Sequence, residues 1–239
     1  MAHTIAVFGT SGAIGKALVE RLAADHPQST VHAFSRTLNS GGSENLVHHS
    51  IDYLDETALA VAADLAPKDA PWSRVIVATG ILHQSEIQPE KALRAVTAEN
   101  LRAVFEINTV VPSLIAKHFI PKLDRQAKCE FAVLSARAGS IADNEMGGWY
   151  AYRTSKAALN MMMKNTAIET ARRNKHAVIA ALHPGVVDSA LSKPFQKFTP
   201  PGKLFSPEDA AEKLLNLLDQ LTPEQSGGLF EWDGEEVAP

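Results

Sequence analysis

The chain has 239 residues, which is long enough to bury a sizeable core and falls within the size range of one α/β domain. Its composition is that of an ordinary soluble globular protein, with 45% hydrophobic and 21% charged residues. The formal net charge of −4 and the lack of any Lys/Arg run argue against a nucleic-acid partner, because such proteins carry basic patches that neutralise phosphates.

Cysteine usage and the N-terminal residues bear on the compartment. The single cysteine, Cys129, cannot form an internal disulfide, so nothing in the sequence indicates secretion. The N-terminal segment has no basic region, and its apolar run ends at once in a glycine turn, which is typical of a first strand and not of a signal peptide. No stretch approaches the roughly 20 apolar residues of a membrane span. We expect a cytoplasmic protein without a membrane partner.

Strand-like apolar runs alternate with longer amphipathic segments along the chain. The predicted strands are 4–9, 30–35, 46–51, 74–79, 130–135, 177–183 and 228–232. The predicted helices are 13–25, 55–65, a helical region over 89–122 that breaks near Thr97 and Pro121, 150–173 and 207–221. This alternation predicts right-handed crossovers and one Rossmann domain over residues 1–239: a doubly wound parallel sheet of about seven strands with helices on both faces.

Two segments are predicted as loops. Residues 40–43 form a short one, and residues 188–203 form a longer irregular stretch with Pro194, Pro200 and Pro201. Long loops in compact domains are often functional, so the longer stretch is either a mobile lid over a site or an ordinary surface excursion.

A glycine-rich turn follows the first predicted strand and opens the first predicted helix. It reads Gly9-Thr10-Ser11-Gly12-Ala13-Ile14-Gly15. Glycines permit a tight turn and close approach of a pyrophosphate to the backbone, and the helix N-terminus offers free N–H groups and the positive end of its dipole. The spacing departs from the G-x-G-x-x-G form, but its place between strand and helix indicates a dinucleotide site.

The end of the second strand bears on which dinucleotide is bound. NAD-binding folds place a carboxylate there for the ribose hydroxyls. This chain has Ser35 and Arg36 instead, and a hydroxyl with a guanidinium suits a 2′-phosphate through charge-assisted hydrogen bonds. The sequence therefore favours NADP(H), with NAD(H) as the alternative if Arg36 is only a surface residue.

Tyr152 and Lys156 lie four residues apart at the start of a predicted helix, and so on one face of it. A free phenol titrates at about pH 10. A neighbouring ammonium, together with an oxidised nicotinamide, is expected to lower the pKa of Tyr152 toward the working range. Tyr152 would then exchange a proton with a carbonyl or alcohol oxygen, and Lys156 would also hold the nicotinamide ribose.

With these motifs the chain resembles the short-chain dehydrogenase/reductases over essentially its whole length. The turn from Gly9 to Gly15 matches the nucleotide turn of that family, and Tyr152 with Lys156 matches its catalytic pair. The segment 147–156, Gly-Gly-Trp-Tyr-Ala-Tyr-Arg-Thr-Ser-Lys, further resembles sniffer-type carbonyl reductases and bacterial C-factor (C-signal) proteins.

The resemblance implies roles for further residues. Asn108 matches the helix asparagine that holds a water in the proton relay to the lysine, and Asp52 matches the acid that contacts the adenine. The other positions implied at the cofactor are Ala78, which replaces the usual asparagine, Thr79, Gly80, Pro184, Gly185, Val187, and Ser189, which replaces the usual threonine.

One departure concerns the catalytic serine. The family carries it three residues before the glycine of the turn after the fifth strand, where this chain has Ala136, and Ser135 stands one place early. Adjacent side chains on a strand point to opposite faces, so Ser135 is either buried away from the substrate or re-aimed by a local bulge. Ser140 is another candidate donor. Loss of one such donor costs about 3 kcal/mol of transition-state stabilisation.

The function expected from these features is an NADP(H)-dependent oxidoreductase that reduces a small carbonyl compound to an alcohol, or the reverse, with catalytic residues Asn108, Ser135, Tyr152 and Lys156. The alternative is a C-factor-like cofactor-binding signalling or regulatory protein with little turnover, which Ala136 would favour. No metal site is expected, because His48 and His49 lack a third convergent ligand. Arg137 is either solvent-facing or binds an anionic substrate group. The resemblance implies a homodimer or homotetramer.

Overall fold

The computed structural model describes residues 3–38, 41–84 and 87–239. Of the short loop predicted at 40–43, residue 40 lies outside these ranges. The strands are β1 (Thr4–Phe8), β2 (Thr30–Ser35), β3 (Leu46–Ser50), β4 (Trp72–Val77), β5 (Cys129–Leu134), β6 (Ala177–His183), β7 (Val186–Val187), β8 (Leu204–Phe205), β9 (Leu229–Glu231) and β10 (Glu236–Val237). The α-helices are α1 (Ala13–Asp25), α2 (Glu56–Ala63), α3 (Ala98–Phe105), α4 (Val111–Phe119), α5 (Tyr150–Ala171) and α6 (Pro207–Gln220).

The main sheet has eight strands in the order β10-β9-β6-β5-β4-β1-β2-β3. All neighbours are parallel except β10, which pairs antiparallel with β9. This confirms the predicted doubly wound Rossmann-like sheet, with one strand more than the seven expected. The missed strand, β10, is two residues long, too short for an alternating pattern to be visible in the sequence.

Alternating residues of the strands feed two separate hydrophobic cores. Ile5 and Val7 of β1 face α1 and α6, whereas Ala6 and Phe8 face the layer of α2, α4 and α5. In that second layer the ring of Phe8 stacks on Phe34 at 4.6 Å between centroids. Because both faces of β1 are covered by helices, its residues form a continuous apolar run instead of an alternating one.

The helical region predicted over 89–122 is divided in the structure. Residues 89–92 are irregular, with bends at 91 and 92, so the prediction of a helix is wrong there. A 3₁₀ turn follows at Leu93–Ala95, and α3 begins where the Thr97 side chain accepts a hydrogen bond from the Asn100 N–H at 3.1 Å. A π-helical turn, Glu106–Val110, joins α3 to α4. Each break is local, at a cap or at a widened turn.

The segment Ala98–Lys122 is long and apolar enough, by length and composition alone, to cross a membrane. The sequence analysis expected no such stretch. In the structure its α4 portion buries Val111, Ile115 and Phe119 in the core, which is the arrangement of a core helix in a globular protein.

The stretch predicted as a loop over 188–203 has ordered structure at its base and centre. β7 and β8 pair in parallel through Val186 with Leu204 and Val187 with Phe205, and a 3₁₀ helix, Lys193–Phe198, lies between them. The base strands place this 3₁₀ helix near the carboxyl end of β6. Its action as a lid stays a prediction.

Candidate active site

The predicted site residues converge on the carboxyl edge of the main sheet. The chain moves from β1 through β2 to β3 on one side and then returns to β4 on the other side of β1, so a crevice opens between the ends of β1 and β4. The predicted residues at or just beyond the strand ends around this crevice are Gly9, Ser35, Arg36, Asp52, Ala78, Thr79, Gly80, Ser135, Pro184 and Gly185.

The glycine turn crosses the end of β4 in backbone contact. Gly9 has φ +85°, and a Cβ built on it would lie 2.8 Å from the carbonyl carbon of Ala78. A Cβ on Gly15 would lie 2.3 Å from the Gly9 carbonyl oxygen. Helix α1 then starts after Gly12 with no side chain capping its N-terminus. The glycines therefore leave backbone N–H groups accessible, as a bound dinucleotide phosphate requires.

A second feature at this edge fits a ligand. The hydroxyl of Thr79, two residues beyond the end of β4, is buried and has no hydrogen-bond partner among the described residues. Buried polar groups are almost always paired, so this hydroxyl is suited to a bound molecule or a water. The residues present thus fit the dinucleotide that the sequence predicts.

Tyr53 anchors the glycine turn, a role that the sequence analysis missed. The Gly9 N–H donates to both the Phe34 carbonyl and the Tyr53 hydroxyl, each at 3.0 Å. The Tyr53 hydroxyl donates in turn to the Phe34 carbonyl at 2.9 Å. Burial raises the pKa of Tyr53 to about 12, so the phenol stays neutral and keeps its proton for this bond. Tyr53 is 44 residues away in the chain, beyond the reach of a local motif.

The residues predicted for the adenosine end differ in availability. Ser35 is buried, and its hydroxyl donates to the Thr37 carbonyl, which occupies the proton expected for a 2′-phosphate. Arg36 is exposed, and its guanidinium has no ion pair or hydrogen bond within the part of the chain that the structure describes. Asp52 is exposed and accepts the Leu54 N–H at 3.0 Å. Arg36 and Asp52 remain open to a ligand.

Tyr152 and Lys156 share the sheet-facing side of α5. The Lys156 ammonium lies 6.0 Å from the centre of the Tyr152 ring and donates to the Leu134 carbonyl, the last residue of β5, at 2.7 Å. Lys156 is 3% exposed and Tyr152 is half-buried. The pair therefore stands against the end of the central strands.

Burial governs the pKa values of this pair. It raises the pKa of Tyr152 to about 12 and lowers the pKa of Lys156 to about 7. The expectation that Lys156 lowers the pKa of Tyr152 is wrong for the protein by itself. Both side chains lose water, which disfavours phenolate and ammonium alike, so each group favours its neutral form.

Asn108 lies at the π-helical turn and clamps the β4 loop to α5. Its amide nitrogen donates to the Ile81 carbonyl at 2.9 Å and to the Ser155 hydroxyl at 3.1 Å, and its amide oxygen accepts the Ile81 N–H at 2.8 Å. The Ser155 hydroxyl donates to the Tyr152 carbonyl at 2.8 Å. Asn108 thus reaches the Tyr152 turn of α5 through Ser155, which the sequence analysis missed. Its role in a water relay stays a prediction.

Gly80 keeps an opening between the lysine and the asparagine. A Cβ at this position would lie 3.4 Å from the Lys156 ammonium and 3.5 Å from the Asn108 amide oxygen. The bare backbone leaves room for a small ligand group beside both side chains.

Ser135 is buried against α5 and its hydroxyl is engaged within the protein. It lies on the same face as Val133, is 4% exposed, and donates to the Asn160 amide oxygen of α5 at 2.6 Å. The alternative donor, Ser140, donates to the Ala238 carbonyl and accepts the Asp143 N–H. The catalytic role of Ser135 stays a prediction, and its bond to Asn160 argues against it.

The segment after β6 packs against β8 and the residue that follows β9. Gly185 has φ +75°, and a Cβ there would lie 2.8 Å from the Phe205 ring and 3.1 Å from Trp232. Val187 is buried, and Ser189 exchanges hydrogen bonds with Ser192. The predicted cofactor segment from Pro184 to Ser189 is therefore held at its far end by the base of the 188–203 stretch.

Arg137 is fully engaged within the protein. Its guanidinium forms ion pairs with Asp143 at 2.7 Å and with Glu231 at 2.8 Å. These two carboxylates raise its pKa, so it stays charged and paired. The structure favours a bridge between the loop after β5 and the end of β9 over binding of an anionic substrate.

A buried carboxylate holds the start of α5, and the sequence analysis missed it. Glu90 is 3% exposed; its side chain accepts the Ala151 N–H at 3.1 Å and its carbonyl accepts the Trp149 N–H at 2.6 Å. An acid at a helix N-terminus is favoured by the helix dipole. The 60-residue separation between Glu90 and Tyr150, the first residue of α5, hides this cap from any local pattern.

The predicted strand histidines contact each other or the backbone. His49 pairs with His32 at 2.9 Å between ring nitrogens, and His48 bonds to the Gly41 carbonyl. Over residues 3–38, 41–84 and 87–239, no cluster of three or more His, Cys, Asp or Glu side chains is arranged to hold a metal.

Comparison with known proteins identifies the family. A family model described as short chain dehydrogenase matches residues 3–199 of the chain. Over 181 residues, 75% of this chain and 74% of the relative, the chain is 33% identical to 1-hydroxy-2-glutathionyl-2-methyl-3-butene dehydrogenase of Rhodococcus sp. strain AD45. It is 35% identical to C-signal of Myxococcus xanthus over 146 residues, 61% of this chain and 82% of the relative.

Solved structures share the fold. Carbonyl reductase Sniffer of D. melanogaster superimposes with a TM-score of 0.84 at 23% identity, with full coverage of both chains. An NADPH-bound carbonyl reductase from chicken fatty liver superimposes with a TM-score of 0.83 at 23% identity, covering 100% of this chain and 94% of the other. These results confirm the resemblance drawn from the motifs: the chain belongs to the short-chain dehydrogenase family and is an NAD(P)-dependent oxidoreductase.

Proposed function

We propose that the protein interconverts a small carbonyl compound and its alcohol with NADP(H). When bound, the nicotinamide would supply a hydride to the carbonyl carbon in reduction, or accept one from the alcohol carbon in oxidation. In reduction Tyr152 gives its phenolic proton to the carbonyl oxygen, and in oxidation it takes the alcohol proton. The observation that carries the proposal is the placement of Tyr152 and Lys156 on one face of α5, against the end of β5 and beside the Asn108 clamp.

The pKa values suit the reductive direction. Because burial raises the pKa of Tyr152 to about 12, the phenol carries its proton at neutral pH and is ready to donate it. Lys156 has a pKa of about 7 and retains hydrogen-bonding capacity beyond its bond to Leu134, with which it would hold a ribose hydroxyl. Asn108 holds this end of α5 against the loop after β4 through its hydrogen bonds to Ile81 and Ser155.

The preference for NADP(H) rests on Arg36. It follows directly on β2, is exposed, and has no partner for its guanidinium among the described residues. No carboxylate stands at the end of that strand to bind the ribose hydroxyls of NAD. The chicken carbonyl reductase of the same fold is described with NADPH bound, which supports the same choice here.

We further propose that residues 1–239 form one domain that works in the cytoplasm as a homodimer or homotetramer, without a nucleic-acid or membrane partner. The negative net charge supports the absence of a nucleic-acid partner, and the single main sheet supports one domain. The oligomeric state is proposed from the family resemblance alone.

Cofactor titrations test the NADP(H) preference. The parent protein should bind NADPH more tightly than NADH, and Arg36→Ala should remove the difference, since a charge-assisted contact to the 2′-phosphate is worth roughly 1.5–3 kcal/mol. Arg125→Ala, an exposed arginine that precedes β5 at the opposite edge of the sheet, serves as the matched control. Equal affinities of the parent for both cofactors would refute the preference.

Activity measurements test the reaction. NADPH oxidation with a panel of aldehydes, quinones and diketones should be abolished by Tyr152→Phe and retained by Tyr150→Phe. A second candidate function, cofactor-dependent signalling with little turnover, is favoured by Ala136 and by the engagement of Ser135 with Asn160. Tight NADPH binding with no turnover by parent or Tyr152→Phe across the panel would support that second function.

A further inference from the structure

Three aromatic side chains from three separate segments form one surface beside Tyr152. The Trp149 ring meets the Tyr152 ring edge-to-face, with 6.1 Å between centroids. Phe195, from the 3₁₀ helix Lys193–Phe198, lies 5.0 Å from Trp149, and His83, after β4, lies 5.9 Å from Phe195. Trp149, Phe195 and His83 are all half-buried. We call these three residues the aromatic wall.

The position of Trp149 is built into the backbone. It has φ 48° and ψ 46°, the left-handed region, where no other non-glycine residue of the described ranges lies. Its N–H donates to the Glu90 carbonyl at 2.6 Å, and the buried Glu90 side chain binds the next turn through Ala151. A bulky residue adopts this conformation at a cost, and such strain is usually retained where it places a functional group.

The arginines next to the wall are already engaged. Arg137 is paired with Asp143 and Glu231. Arg153 donates to the carbonyls of Gly147 and Ala138. The His83 imidazole bonds to the Leu191 carbonyl at 3.1 Å, which ties it to the 188–203 stretch. The wall therefore offers ring faces and apolar edges to a substrate, with the nearby cationic donors directed to protein acceptors.

We infer that the substrate is an aryl carbonyl compound, with an aromatic ring on or next to the reacting carbonyl. This inference rests on the proposed function. A carbonyl oxygen bound at the Tyr152 hydroxyl brings its nearest substituent beside Trp149, and a planar ring there takes an edge-to-face or offset-stacked contact. Phe195 closes the other side from the 3₁₀ helix. A favourable aromatic pair adds to the free energy gained from burying its area, and the added part alone can strengthen binding by up to about tenfold.

A pair of diketones of similar size tests the inference. Steady-state kcat/KM is measured with NADPH for 1-phenyl-1,2-propanedione and 1-cyclohexyl-1,2-propanedione. The ratio is kcat/KM for the phenyl diketone divided by kcat/KM for the cyclohexyl diketone. Comparing this ratio between a variant and the parent cancels the intrinsic difference in reactivity of the two carbonyl compounds. Trp149→Leu should lower the ratio by about tenfold, because it removes the ring and keeps an unbranched Cβ in the same backbone conformation. Trp149→Phe, which keeps a ring, should retain most of the preference.

A matched pair on the 3₁₀ helix separates contact from helix stability. Phe195→Leu should lower the ratio, and Phe198→Leu, at a side chain that is 77% exposed on the same helix, should leave it unchanged. Unchanged ratios in Trp149→Leu and Phe195→Leu, with both diketones turned over, would overturn the inference and leave the proposed function intact. Absence of turnover of any carbonyl by the parent would refute the proposed reaction and the inference with it.

Discussion

Lys156 is held where its charge destabilises the folded protein. It is 3% exposed, its ammonium bonds to the Leu134 carbonyl at 2.7 Å, and burial lowers its pKa to about 7. Lys156→Met keeps a long flexible side chain and removes the ionisable group. We predict that this variant is more stable than the parent at acidic and neutral pH.

The magnitude follows from linkage between protonation and folding. The fall in pKa from the ordinary value of 10.5 to about 7 corresponds to about 5 kcal/mol at a pH below 7. The unsatisfied Leu134 carbonyl in the variant offsets about 1 kcal/mol, leaving a gain of about 4 kcal/mol. Above pH 7 the unfolded chain binds the Lys156 proton and the folded chain does not, so the stability of the parent rises by about 1.4 kcal/mol per pH unit and the advantage of the variant shrinks.

The window from pH 7 to 8.5 isolates this group. The pKa of Cys129 and that of Tyr152 are each raised to about 12, and their unfolded forms titrate only near pH 9.0 and 10.0. The pKa of His32 is lowered to about 4 from its unfolded value of 6.5, so most of its effect on stability lies below pH 7. Between pH 7 and 8.5 these groups change the free energy of unfolding by less per pH unit than Lys156 does.

Urea unfolding at pH 6, 7, 8 and 8.5 measures the effect. Lys164→Met, at an exposed lysine of the same helix, is the matched control and should follow the parent at every pH. A Lys156→Met variant less stable than the parent at pH 6, or one with the same rise in stability between pH 7 and 8.5, would refute the reasoning. The expected gain in stability with loss of activity would make Lys156 a case of stability given up for function.

Three further predictions concern the turn, the cap and a buried histidine. Gly15→Ala places a Cβ 2.3 Å from the Gly9 carbonyl oxygen. It should therefore weaken NADPH binding in calorimetric titration and lower the free energy of unfolding by about 1–3 kcal/mol. An affinity for NADPH equal to that of the parent would contradict the role of the glycine turn in binding the dinucleotide. Glu90→Ala removes the acceptor for the Ala151 N–H and should cost about 1–2 kcal/mol in urea unfolding, with Glu90→Gln recovering part; no cost would argue against the cap. The pKa of His32 is lowered to about 4, so the parent should lose about 3 kcal/mol of stability as pH falls from 6.5 to 4, and His32→Phe should reduce that loss; an unaltered acid profile would count against it.

Local patterns predicted the elements that the chain makes with its neighbours. Helix α1 and strands β2 and β6 have the predicted bounds, because a buried apolar run or a glycine turn marks each end. The glycine turn and the Tyr152–Lys156 spacing were also visible, since each motif lies within one turn of backbone. These features determined the fold class, and they are the basis of the proposed dinucleotide site and of the proposed proton donor, Tyr152.

The tertiary structure decided what depends on distant residues. The direction of Ser135 is set by Asn160, the glycine turn is anchored by Tyr53, and the start of α5 is capped by Glu90. The pKa values of Tyr152 and Lys156 likewise follow from how deeply the packed helices bury them. A sequence specifies which groups are present and their local spacing, whereas desolvation and hydrogen-bond partners arise only when remote segments meet.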